Sequence, residues 1–145
     1  MGAEPWDCFT PYQPDLKKAL RETREREFQA GRYNGGGDSG PLHDSIEEAM
    51  EDADADGTCS ILDIEEISSV PDNGLEPDCG IAYPLTDQRL IELYGTNKPS
   101  REMIKSNKRA LNEMYRGIGR GSAIYIVLYD GESPTEIFFA GYSYD

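Results

Sequence analysis

From Tyr33 to Gln88 the sequence contains no lysine or arginine, although fifteen aspartates and glutamates fall there. The rest of the 145-residue chain carries fourteen basic and thirteen acidic residues, so this one segment accounts for the net charge of −14. Such a balance works against nonspecific binding to DNA, RNA or anionic membranes, because those contacts depend on Lys and Arg neutralising phosphate. Nucleic acid and membrane are not expected partners.

Cysteine is sparse. Cys8, Cys59 and Cys79 form no CxxC pair and no ligand-spaced set with histidine, which argues for reduced thiols and against a zinc site. The opening MGAEPWDCFTPYQP has no basic leader, and no stretch approaches the roughly 18 consecutive apolar residues of a membrane span. The expectation is a cytoplasmic protein.

Histidine is nearly absent, and this limits catalysis. Residues 37–40 read GDSG and resemble the nucleophile loop of chymotrypsin-like serine proteases, but His43, the only histidine, follows the serine, and the second glycine of GDSGG is missing. A triad requires a base within reach of the nucleophile. No motif singles out a catalytic acid either, so an enzyme remains an alternative only as a small activity using a pocket near the C-terminal hairpin, with Tyr125, Tyr129, Tyr142 and Tyr144 as its lining.

What is present suggests α+β architecture. PDLKKALRETREREFQAGR predicts a helix over 15–30 stopped by Gly31, and Ser45 with Glu48 forms a capping box for a short helix over 45–54. Thr86 is expected to cap DQRLIELYG. Ser100 is expected to cap one longer helix, REMIKSNKRALNEMYRG, whose Met103, Ile104, Ala110, Leu111, Met114, Tyr115 and Ile118 share an apolar arc. Strands are predicted near 60–67 and 80–84, and the end of the chain reads as a β-hairpin of about 122–129 and 135–143 around DGESP. The expected fold is one domain over 1–145, with a mainly antiparallel sheet of about four strands covered on one face by helices and a flexible glycine-rich loop near 34–42.

Two readings compete for EDADADGTCSILD, residues 51–63. One is a calcium loop: Asp52, Asp54, Asp56, Gly57, Thr58, Ser60 and Asp63 fill positions 1, 3, 5, 6, 7, 9 and 12 of an EF-hand-like pattern. Against it, position twelve is Asp rather than the longer Glu, and no second loop pairs with it. The other is a docking surface in which Glu47, Glu48, Glu51, Asp52, Asp54 and Asp56 project a negative field toward a basic protein partner, as in small acidic inhibitor- or immunity-like proteins. The plain alternative is a solvated surface, or an acidic segment lying against the basic helix 101–116 of the same fold.

The stretches FTPYQPDLKKALRETREREFQAGRYN, SILDIEEIS and IYIVLYDGESPTEIFFAGYSYD resemble those of a small family of uncharacterised acidic bacterial proteins. The resemblance implies a bacterial cytosolic protein and assigns no activity or site residue. The leading expectation is therefore a non-enzymatic interaction protein that binds a basic partner, with calcium the alternative ligand.

Overall fold

The structure is a computed structural model, described for residues 3–71 and 78–144. Five strands, β1 (Pro5–Pro11), β2 (Glu66–Ile67), β3 (Ile81–Pro84), β4 (Ala123–Asp130) and β5 (Ser133–Tyr142), form one sheet in the order β1-β5-β4-β3-β2. Among the described residues, five α-helices accompany it: α1 (Leu16–Ala30), α2 (Ile46–Ala53), α3 (Asp87–Tyr94), α4 (Arg101–Ser106) and α5 (Lys108–Tyr115). The α+β class and the C-terminal hairpin agree with the sequence reading.

The sheet itself corrects that reading. It has five strands and is mixed: β1–β5 and β5–β4 are antiparallel, whereas β4–β3 and β3–β2 are parallel. The parallel pairing of β3 with β4 follows from their connection, because α3, α4 and α5 intervene and a crossover of that length returns the chain in the same direction. The strand not anticipated is β1, whose PWDCFTP sequence has proline at both ends. Proline is tolerated there because β1 lies at the sheet edge, where not every N–H must join a ladder.

Helices cover both faces rather than one. Side chains alternate along β4, so Ala123 and Tyr125 join Trp6, Ala19, Leu20, Ile61, Ile64, Ala82, Ile137 and Phe139 beneath α1. Ile124, Ile126 and Leu128 point the other way and pack with Phe138, Ala140, Leu90, Ile104, Met114, Tyr115 and Ile118 under α3–α5. With both faces buried, the central strands read as continuous apolar runs, and the sequence pattern alone does not reveal the second layer.

Two further elements differ. The single helix expected over 101–117 is broken at Asn107, whose backbone N–H still donates to the Met103 carbonyl while its side chain accepts the Ala110 N–H at 3.0 Å. An asparagine that caps the following turn ends one helix and starts another. Met103 consequently lies outside the core, at 41% exposure. Instead of a strand over 60–67, residues 61–63 form a 3₁₀ turn capped by Ser60, whose hydroxyl accepts the Leu62 N–H at 3.1 Å, and pairing begins only at Glu66. The loop PDNGLEPD lies mostly outside the described residues.

The caps of α1–α3 match their sequence signals. Gly31 closes α1 in the left-handed region, at φ 83°, and a Cβ there would sit 2.2 Å from the Gly40 carbonyl oxygen, so only glycine lets the following loop fold back onto the helix end.

Candidate functional site

The acidic segment is displayed by α2. Ser45 accepts the Glu48 N–H at 3.1 Å and fixes the start of the helix. Ala49 is fully buried and Ile46 half-buried against Phe28, Tyr33 and Leu62, so the helix sits beside the end of α1. Anchoring this face turns Glu47, Glu48, Glu51 and Asp52 to solvent, and the 3₁₀ turn that follows, Asp54–Asp56, exposes both of its aspartates. Asp54 adopts a positive φ of 51° with ψ −132°, a conformation uncommon outside glycine that turns the chain from the helix into the 3₁₀ turn.

Among the described residues, none of these six forms an ion pair with Lys or Arg, although Glu47 lies in the field of Arg24; Asp52 Oδ2 lies 3.0 Å from Nε2 of His43. The Tyr33 hydroxyl accepts the Leu42 N–H at 2.8 Å and lies 2.9 Å from His43 Nδ1. His43 thereby links the buried Tyr33 to the acidic face. This connection was not legible in the sequence, because nothing local to His43 signals a contact with residues 33 and 52.

α2 and the turn after it do not cover the basic helices. They lie on the α1 side of the sheet, whereas α4 and α5 pack on the other. There Arg101 pairs with Glu136, Lys98 with Glu132 and Arg116 with Glu113, carboxylates that all fall outside residues 33–88.

The residues proposed for calcium separate into two groups. Thr58, Ser60 and Asp63 are buried together: Asp63 Oδ1 accepts the Thr58 N–H at 2.7 Å and its hydroxyl at 2.8 Å, and the Thr58 and Ser60 hydroxyls are 2.8 Å apart. The Thr58 carbonyl, expected at position seven of the loop, accepts the Asn34 N–H at 2.7 Å. Asp52, Asp54 and Asp56 remain at the surface. Among the described residues, no three His, Cys, Asp or Glu side chains converge as a metal-binding group.

Asp63 is nevertheless unusual. Burial pushes its carboxyl above the ordinary value of 3.8, against the hydrogen bonds from Thr58, the Cys59 backbone N–H and the nearby charge of Arg24, and Oδ2 is buried without a hydrogen bond of good geometry. That oxygen lies beneath Gly57, where an added Cβ would stand 2.8 Å from it and 2.7 Å from the Tyr144 ring. Gly57, at φ 74°, is thus required both by its conformation and by the closeness of the C-terminal strand's extension.

The tyrosines considered for a pocket do not share one. Tyr125 donates to the Ser68 carbonyl at 2.7 Å, Tyr129 lies under Lys98, Tyr142 packs edge-on against Tyr115, and Tyr144 covers Gly57 and Gly121. A recess of about 570 Å³ lies instead between α1 and β2, where three cations, Lys17, Arg21 and Arg24, line it together with two carboxylates, Glu65 and Glu66. No helix is long and apolar enough to cross a membrane among the described residues. Comparison of the chain with protein-family models, with curated proteins and with solved structures finds no match, so its functional reading rests on its own residues.

Proposed function

We propose that the protein is a non-enzymatic acidic interaction protein, inhibitor- or immunity-like, that binds a basic protein partner through α2 and the turn after it. One observation carries the reading: six carboxylates, Glu47, Glu48, Glu51, Asp52, Asp54 and Asp56, are exposed on one continuous stretch, and among the described residues none of them forms an ion pair with Lys or Arg, although Glu47 lies in the field of Arg24. Ordinary solvated surfaces intersperse the two signs, whereas an uncompensated run of one sign raises the local potential and speeds encounter with an opposite surface. Steering brings the partner in, and docking on the helix face follows. Replacing all six by Asn or Gln should abolish recovery of a basic partner from cell extract at low salt while leaving the fold intact. Recovery of the same partners by the variant would remove the proposal.

The calcium reading keeps one observation in its favour, the buried Oδ2 of Asp63 at the last loop position, which lacks a hydrogen bond of good geometry. Its test is thermal unfolding in EDTA and then with calcium. A saturable rise in Tm, absent with magnesium and lost in the Asp52→Asn/Asp56→Asn double variant, would establish it; an unchanged Tm would eliminate it.

A further inference from the structure

On the face of the sheet opposite the acidic helix, a cavity of about 220 Å³ opens between β1 and the break separating α4 from α5. Its apolar wall is built from Phe9, Ile104, Leu111 and Phe138, of which Ile104 and Phe138 are fully buried. Phe9 is held in place: its ring packs against Phe138 at 4.9 Å between centroids, and the Arg101 guanidinium and the Lys105 ammonium lie over it at 4.2 and 5.6 Å. Arg101 is itself tied to Glu136. The polar rim consists of Asp7, Lys105 and Lys108, together with one amide.

Neither lysine forms an ion pair among the described residues. Asp7 accepts from the Tyr115 hydroxyl at 3.3 Å and lies in the field of Lys105, so it offsets one positive charge and leaves the other uncompensated. Lys108 therefore sets a positive charge at the rim of an apolar cavity. We propose that this cavity is a binding site for a small apolar monocarboxylate, its hydrocarbon body against Phe9, Leu111 and Phe138 and its carboxylate toward Lys108.

Size and charge together select that class. At interior packing density the cavity holds roughly ten heavy atoms, fewer than the drug-sized ligands accommodated by pockets of about 300–1,000 Å³. One spare positive charge matches a monoanion, and a dianion such as a phosphate monoester would place its second charge against Asp7. The apolar wall needs a ring or branched chain to fill it. The site is independent of the acidic face and stands whether or not that face binds a partner.

The test is an isotope-edited NMR titration of the full chain with phenylacetate and, in parallel, with its neutral isostere phenylacetamide. The expected result is saturable shifts centred on Phe9, Leu111 and Phe138 with a Kd of about 1 mM or below, as the ligand's size allows. Binding should be about tenfold weaker for the amide, and about tenfold weaker for phenylacetate in Lys108→Gln, an exposed substitution that leaves the fold undisturbed. Absence of saturable shifts at these residues up to about 20 mM, far above the Kd expected for a ligand of this size, would overturn the proposal. Equal binding of acid and amide, or an unchanged Kd in Lys108→Gln, would do the same. A tripeptide ending in phenylalanine with a free C-terminus provides the last arm: weaker binding than phenylacetate supports a free acid as ligand, and stronger binding overturns the small-molecule assignment.

Discussion

Replacing Asp63 by alanine should lower stability by an amount that the structure allows to be worked out. Asp63 is 2% exposed and Thr58 fully buried, so the change leaves the Thr58 N–H and hydroxyl without their acceptor where water cannot substitute. Hydrogen bonds to a charged group are worth about 1.5–3 kcal/mol each, and relief of a desolvated carboxylate returns part of this, so the net loss is about 2 kcal/mol. At roughly 2.1 cal/mol/K per residue, the unfolding entropy of this chain converts that loss to a fall in Tm of about 7 °C. Asp63→Asn keeps an acceptor at the Oδ1 position and should lose less than half as much.

The two substitutions also separate charge from hydrogen bonding through pH. Burial raises the Asp63 carboxyl above 3.8, so the folded protein binds that proton at pH values where the unfolded chain has released it. The penalty for the buried charge is complete above the folded pKa and disappears as pH falls toward the unfolded value. Wild type should therefore gain stability relative to Asp63→Asn as pH drops from neutral toward 3.8, with Asp7, also raised by burial, contributing equally to both proteins. Calorimetry or circular dichroism melts across that range provide the check. A Tm for Asp63→Ala within about 1 °C of wild type, or a wild-type-to-Asn difference that does not grow on acidification, would refute the reasoning.

Other expectations test packing, capping and thiol exposure. Gly141→Ala places a Cβ 2.5 Å from the Trp6 indole and 2.7 Å from the Ser122 carbonyl oxygen; a loss of about 1–3 kcal/mol in denaturant titration is expected, and wild-type stability would contradict the contact. Asn107→Ala removes the acceptor for the Ala110 N–H; it should cost about 1 kcal/mol and speed hydrogen exchange at that amide, whereas unchanged exchange would show that the cap is not what starts α5. Alkylation followed by mass spectrometry should modify exposed Cys79 first and Cys8 last, because burial, together with Glu27 and Asp7, pushes the Cys8 thiol far up; equal rates at the two would contradict this.

How far the sequence was legible depended on whether the signal was local. Ser45, Thr86, Ser100, Gly31 and Gly95 act within one turn of chain, and each caps the helix end its pattern indicates. Asn107 is equally local, but it lies inside a long apolar periodicity that continues across the break, and periodicity concealed the cap. Strand order is a tertiary property. Nothing in PWDCFTP or IAYP states that the first will pair with the last strand of the chain, or that the second will run parallel to β4. The two-layer arrangement was hidden for a related reason: Ile124, Tyr125 and Ile126 are all apolar although they face alternate sides.

The candidate surface divides in the same way. Exposure of Glu47, Glu48, Glu51 and Asp52 follows from the helical arc that buries Ala49, which the sequence displays directly. The withdrawal of Thr58, Ser60 and Asp63 into the interior does not, because it depends on Asn34 and Tyr144, which are distant in sequence. The cavity beside Phe9 also joins β1 to α4 and α5 across about a hundred residues, and no motif marks it.

Steering of a basic partner by the acidic face is read out by stopped-flow association of the captured partner with wild type and with the six-site neutral variant, as ionic strength rises from about 10 mM to about 300 mM. The expected result is a wild-type association rate that falls at least about tenfold with salt, a variant rate that is low and nearly flat, and dissociation rates that depend much less on salt. Identical association rates and salt dependence for the two proteins would contradict the account.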